Sequence, residues 1–173
     1  MNQTIKDLEE RRSIRKYKDE QITDEDLRQI LEAGEYAPSG MGRQSAIMVA
    51  IQNKEVIKKL SRINAKIMGI STDPFYGAPT VVVVLADKNV PTHVEDGSLV
   101  MGNLLNAAHS LNIGSCWIHR ARETFETEEG KELLKEWKID DKYVGIGNCI
   151  LGYADGNYPE PKERKADYIK IIK

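Results

Sequence analysis

Cysteine, histidine and aromatic residues are all scarce in this chain, and each shortage removes a class of function. Two cysteines, Cys116 and Cys149, stand among 173 residues. Both fall in apolar, strand-like segments, so they read as buried reduced thiols of a cytoplasmic protein rather than as a disulfide framework. Three histidines, with no paired Cys or His spacing, offer no structural zinc site. Charge of one sign is lacking too: 25 basic against 27 acidic residues leave a net charge of −2. No global field draws in nucleic acid or an anionic membrane, so any anion must be met by a local cluster. With only 6% aromatics, an RNA-binding module is the weaker alternative. Long apolar runs are missing as well. The longest, Ala78 to Ala86, contains Pro79 and Thr80 and reads as a buried strand, not a membrane span. The first residues, Met1 to Asp7, lack the apolar stretch of a signal peptide. What remains, 40% apolar and 30% charged, is the composition of one globular domain spanning 1–173.

Hydrophobic spacing predicts a short helix over 4–11. A second helix starts at Thr23 as N-cap, with acidic residues in its first turn, and ends before Pro38. Residues 37–45 form a turn-rich loop, 46–51 a strand, and Asn53 caps a helix carrying Val56, Ile57, Leu60, Ile63 and Ile67. Thr80 to Leu85 predicts a central strand, apolar on both faces. Val94 to Leu111 predicts the longest helix, apolar around more than half its circumference and so buried on several sides, with Gly114 at its exit. A strand over 115–118, a helix from Thr127, a glycine-spaced strand over 143–152 and a short final strand over 168–172 complete the chain. Irregular interleaving of strands and helices indicates an α+β fold.

Several motifs fail on physical grounds. Gly145-Ile146-Gly147 hints at a dinucleotide fingerprint, but Ile150 takes the third glycine position and no helix follows to receive a pyrophosphate. Nucleophile elbow, P-loop and His-Glu-x-x-His are absent. The Asn2-Gln3-Thr4 sequon is accidental in a cytoplasmic protein. His109 sits on the apolar helix as a buried histidine. Asp73 and Asp96 have no spacing that forces them together.

Two basic clusters remain. Arg11-Arg12-Ser13-Ile14-Arg15-Lys16-Tyr17 leaves the first helix as an extended segment, where alternation sends Arg11, Ser13 and Arg15 the same way. Guanidinium forks suit a phosphate, and cations at a helix end also suit the dipole, so both readings stand for this stretch alone. Lys162-Glu163-Arg164-Lys165 is the second cluster, and the two together can converge on one phosphate.

These pieces, with Ala37-Pro38-Ser39-Gly40, Arg43-Gln44, Asn64, Gly114-Ser115-Cys116-Trp117-Ile118, Leu151-Gly152-Tyr153 and Pro161 to Arg164, give the whole chain its likeness. In order and spacing it resembles the short form of the nitroreductase family. The resemblance implies an FMN-dependent oxidoreductase using NADH or NADPH. It implies a homodimer with FMN at the interface and a small-molecule acceptor, such as a nitroaromatic or quinone. It implies a three-layer α+β fold with a mixed, mainly antiparallel sheet whose C-terminal strand is exchanged with the partner. By the same resemblance Arg11, Ser13, Lys162 and Arg164 hold the phosphate, supported by Arg12, while Arg15 lies by the pyrimidine end of the flavin. Asn64 reads the ring's N3–O4 edge, the backbone at His119 and Arg120 approaches N5, and Pro38, Ser39, Gly40 and Gln44 come from the other subunit. A flavin-centred reaction needs no side-chain nucleophile. The same fold also hosts flavin reductases, dehalogenases and flavin-cleaving enzymes. The chain departs from the family pattern at Gly42, which takes an asparagine position, at Ser45-Ala46 after Gln44, and at His119-Arg120, which replaces an acid–glycine pair.

Overall fold

The computed structural model describes residues 1–173. Its centre is the strand β2 (Thr80–Asp87), in which Val81, Val82, Val83 and Val84 are all 0% exposed. Burial of each valine side chain contributes roughly 1.5–3 kcal/mol, and β-branching favours the extended backbone. β2 pairs antiparallel with β1 (Ala46–Ile51) on one side and β4 (Tyr143–Gly152) on the other, and β4 pairs antiparallel with β3 (Gly114–Ile118). The sheet order is β1-β2-β4-β3. Within the chain every strand pair is therefore antiparallel. The one parallel element is an isolated bridge from Ser13 to Ser115, which lays the N-terminal segment along the outer edge of β3.

Alternation along β2 divides the core into two layers. Val81, Val83 and Leu85 face a cluster with Ile57, Leu60 and Ile63 of α3 (Lys54–Met68), Phe125 of α5 (Ala121–Glu126) and Leu133 of α6 (Glu128–Glu136). Val82, Val84 and Ala86 face Ile30 of α2 (Asp24–Glu35) and Val100, Met101 and Leu104 of α4 (His93–Ser110). α1 (Gln3–Glu10) has no buried residue. Three N-caps form as expected: Thr23 accepts from Asp26 N–H, Asn53 from the N–H groups of Glu55 and Val56, and Thr127 from Gly130 N–H.

The single chain departs from the expectations at four points. α4 buries one face only, and Val94 and Leu99 on it are 38% and 46% exposed. Asn112, at φ +59°, makes the left-handed turn out of α4; Gly114 has already entered β3, where a side chain would press on Ile14. α5 was not anticipated, because six residues carry too little periodicity to register. Within the single chain residues 168–172 form no strand, and Tyr168, Ile169, Ile171 and Ile172 are 71–97% exposed. A strand needs a neighbouring ladder, and the chain offers none there.

Candidate functional site

Arg15, His119 and Arg120 line one cavity of about 230 Å³, together with Trp117, Tyr76 and Met68. Arg15 reaches it from the extended segment after α1. Ile14 is buried and donates its N–H to Ser115 O at 2.9 Å, which turns Ser13 and Arg15 the other way. The Tyr17 hydroxyl donates to Ile14 O at 2.6 Å, and Lys18 N–H donates to Tyr153 O at 2.9 Å, so the segment is stitched on both sides. Burial pushes the Tyr17 phenol well above its usual range. It therefore stays a hydrogen-bond donor.

His119 and Arg120 form the turn from β3 into α5. Arg120 takes the left-handed conformation, φ +71°, which costs a side-chain-bearing residue about 1–2 kcal/mol. Asn64 holds it there. Fully buried, Asn64 donates its amide N–H to His119 O at 2.8 Å and accepts from Arg120 Nε at 3.1 Å. Its amide is thus engaged inside the chain. Asn64, expected at the ring edge, braces within this chain the turn that lines the cavity. The loop before β2 supplies the opposite wall. Asp73 accepts from the Ser61 hydroxyl and from the N–H groups of Phe75 and Gly77, at 2.5, 2.8 and 2.7 Å. Trp117 is only partly buried, and its buried Nε1 has no hydrogen-bond partner.

Pro38, Ser39 and Gln44 line a different cavity of about 590 Å³, which shares no residue with the first. Its loop is fixed from α4. Asp96, 3% exposed, accepts from Gly40 N–H at 2.8 Å, the Ser45 hydroxyl at 2.6 Å and the Thr92 hydroxyl at 3.2 Å. Burial alone would raise the Asp96 pKa; the bonds from Ser45, Gly40 and Thr92 outweigh it and hold the carboxyl below its usual value. The Ser39 hydroxyl oxygen accepts from Gln44 N–H at 3.0 Å, and Met41 and Gln44 adopt positive φ of 55° and 49°. Gly40 is needed for close approach, since a Cβ there would lie 2.3 Å from the Thr92 hydroxyl oxygen. Sequence reading missed Asp96 and Thr92: an acid in a first helical turn signals the helix dipole, not a contact more than fifty residues away.

The basic clusters divide. Arg11 is half-buried, and its Nη1 is enclosed without a hydrogen-bond partner. Ser13 is half-buried beside β3. Arg12 turns back instead: its Nη1 donates to Glu9 O at 2.6 Å and Arg11 O at 2.8 Å, covering the open carbonyls at the end of α1. Lys162 and Arg164 are exposed and enter none of the chain's ion pairs. The chain by itself gathers Arg15 with His119 and Arg120, and separately Pro38 with Ser39 and Gln44. It does not close the two basic clusters on one another.

Comparison with known proteins identifies the lineage. Residues 8–72 match the model described as the nitroreductase family. The structure resembles a nitroreductase with bound FMN from Bacteroides fragilis, at 31% identity over all of both chains with a TM-score of 0.93. It also resembles an FMN-dependent nitroreductase from Clostridium difficile, at 32% identity over 97% of each chain with a TM-score of 0.80. An FMN reductase [NAD(P)H] from Bacillus subtilis is 27% identical over 94% of this chain and 70% of its own. With more than 30% identity sustained over the whole length, and the same fold, the chain belongs to the nitroreductase family.

Proposed function

We propose that the protein is an FMN-dependent NAD(P)H oxidoreductase that works as a homodimer, passing electrons to an electron-poor acceptor such as a nitroaromatic or quinone. The observation that carries this is the cavity shared by Arg15 and the His119–Arg120 turn, in a chain that matches an FMN-bound nitroreductase over its full length. When bound, FMN supplies a two-electron shuttle, taking hydride at N5 from NAD(P)H and handing it to the acceptor.

The residues present fit that group. Arg11 Nη1 is an enclosed donor lacking an acceptor, which a phosphate oxygen would supply, with Ser13 beside it. Arg15 keeps a fixed positive charge where the pyrimidine end of the ring would gather negative charge on reduction. Asn64 ties back the Arg120 side chain and the His119 carbonyl, which would leave other backbone groups of this turn to approach the reacting edge. No general acid–base pair is required of the protein, whose work is to bind, orient and hold charge.

Dimerisation has its own support. The cavity of Pro38, Ser39 and Gln44 is separate from that of Arg15, as a site shared between two copies requires. β1 is an edge strand with one side unpaired, and exposed Ile169, Ile171 and Ile172 follow the linker after β4. We assign these residues to a strand added to the partner's sheet, an arrangement that also carries Lys162 and Arg164 toward a phosphate. The two free, buried thiols suit a cytoplasmic location. Likeness to a named FMN reductase supports flavin reduction as the second reading of the same site.

The test is the visible spectrum. The purified protein is expected to be yellow and to bleach on anaerobic addition of NADH or NADPH. Colourless protein that takes up no added FMN overturns the proposal.

A further inference from the structure

A cavity of about 770 Å³ lies outside the site described above, between α3 and the loop leading to β2. One ridge of α3 borders it with Lys54, Lys58, Arg62 and Lys66, spaced four residues apart. Four-residue spacing stacks side chains on one helix face, so these cations form a single stripe about 18 Å long. Ile57, Ala65 and Pro79 give the groove an apolar floor.

The charges of this stripe are not all spent. Lys58 pairs with Glu55 at 3.0 Å and Arg62 with Glu129 at 2.7 Å. Lys54 and Lys66 enter no ion pair. Of the two carboxylates in the lining, Asp19 and Asp73, the second is committed to Ser61, Phe75 and Gly77. A free cation therefore stands at each end of the stripe. The groove also adjoins the Arg15 cavity: Ile70, Thr72 and Asp73 line both. Lys66 is at the end nearer that cavity, two residues before Met68, which lines it.

Resting on the oxidoreductase reading, we propose that this groove binds the adenylate part of the nicotinamide donor and selects NADPH. With the nicotinamide stacked on the flavin at the mouth of the Arg15 cavity, the diphosphate meets Lys66 and the adenosine lies along the apolar floor. The 2′-phosphate, which NADH lacks, meets Lys54. Lysine side chains are long and flexible, so the two unspent cations can lean inward toward two phosphate groups carried on one ribose. A donor carrying the diphosphate alone leaves Lys54 idle.

The probe is adenosine 2′,5′-bisphosphate, titrated by calorimetry into the flavin-loaded protein, the Lys54→Glu variant and the Lys66→Glu variant. Both lysines are exposed, so neither substitution disturbs the core. The parent is expected to bind the bisphosphate, and each variant to bind it roughly tenfold more weakly, as loss of one charge-assisted contact implies. In turnover, kcat/KM for NADPH relative to dihydronicotinamide riboside, which has no phosphate, falls to a similar extent in both. Lys54→Glu leaves the same ratio for NADH unchanged, and Lys66→Glu lowers it. A parent that does not bind the bisphosphate, variants that bind it as tightly as the parent, or equal losses with riboside and NADPH each overturn the assignment. Failure of the oxidoreductase reading is separate: it shows as protein that takes up no flavin, whatever the titration reads.

Discussion

Replacing Asp96 with alanine should cost the protein about 3 kcal/mol of stability. Asp96 fastens the loop of Pro38, Ser39 and Gln44 to α4 through Gly40 N–H and the Ser45 hydroxyl, at 2.8 and 2.6 Å. Hydrogen bonds to a charged acceptor contribute about 1.5–3 kcal/mol each. Ser45 is 4% exposed, so water does not readily take over for the carboxylate. The lower end of the range applies because the loop around Gly40 is only half-buried and can rearrange. The longer contact from Thr92, at 3.2 Å, adds little. Two bonds at the low end give about 3 kcal/mol, or a fall in Tm of about 6–12 °C for a chain of this size. Asp96→Asn keeps an acceptor for Gly40 and loses the charge, so it should cost about half as much. Urea unfolding followed by far-UV circular dichroism measures both. An Asp96→Ala protein within about 0.5 kcal/mol of its parent, the range of ordinary surface substitutions, would refute the anchoring role.

The pH dependence gives the same anchor a second check. The Asp96 pKa is lowered in the folded chain. Such a group adds stability that is fully present above its unfolded value, about 3.9, and is lost as pH falls through the folded value. The gap between parent and Asp96→Ala should therefore be widest at neutral pH and shrink below about pH 4. A gap that stays constant through that range would show that the carboxylate charge is not what holds the loop.

Other perturbations test the rest of the site. Arg120→Gly and Arg120→Ala both remove the guanidinium that bonds Asn64, but only alanine keeps the cost of φ +71°; the glycine variant should be about 1 kcal/mol more stable than the alanine variant, and equal urea midpoints would contradict that. Gly145→Ala places a Cβ 2.3 Å from Ala121 backbone atoms, so it should destabilise by about 1–3 kcal/mol in the same assay, and a silent substitution would mean that α5 is free to shift. Arg15→Ala should leave FMN bound but slow its reduction by the nicotinamide donor in stopped flow; an unchanged rate removes Arg15 from the reaction. Lys162→Ala with Arg164→Ala should weaken FMN retention on gel filtration, and full retention would separate the second basic cluster from the phosphate.

The sequence displayed best whatever is local. Thr23, Asn53 and Thr127 cap helices with their own side chains, and the valines of β2 announce a strand buried on both faces. Arg15 was legible because alternation in an extended segment is a local rule, and the structure keeps it by burying Ile14. Arg12 and Asn64 make bonds within the chain that the sequence did not display, for one shared reason. Each was assigned to an outside ligand, while the folded chain had its own unsatisfied carbonyls to cover: those ending α1 in one case and that of His119 in the other. Such competition depends on which backbone groups the fold leaves open, and no pattern of residues states it. The isoleucines after residue 168 were read as a strand, and the chain by itself gives them no neighbouring strand and leaves them exposed.

The glycines of β4 show how a discarded motif can still determine a site. Gly145-Ile146-Gly147 lacks the helix that would make it a dinucleotide fingerprint, and β4 continues through it with a bulge, Val84 pairing with Gly147 and Leu85 with Gly145. Its spacing answers another demand. At Gly145 the missing side chain leaves room for the first turn of α5, whose Ala121 carbonyl would otherwise lie 2.3 Å from a Cβ. At Gly147 it leaves room for Trp117, whose Nε1 would lie 2.6 Å from a Cβ. These two contacts flank the turn formed by His119 and Arg120. Side chains at either position would push α5 or Trp117 off the sheet, and the turn could not then reach both Asn64 on α3 and the cavity of Arg15. Glycine here sets the distance between a helix and a sheet, and through that distance it places the backbone on which the proposed chemistry depends.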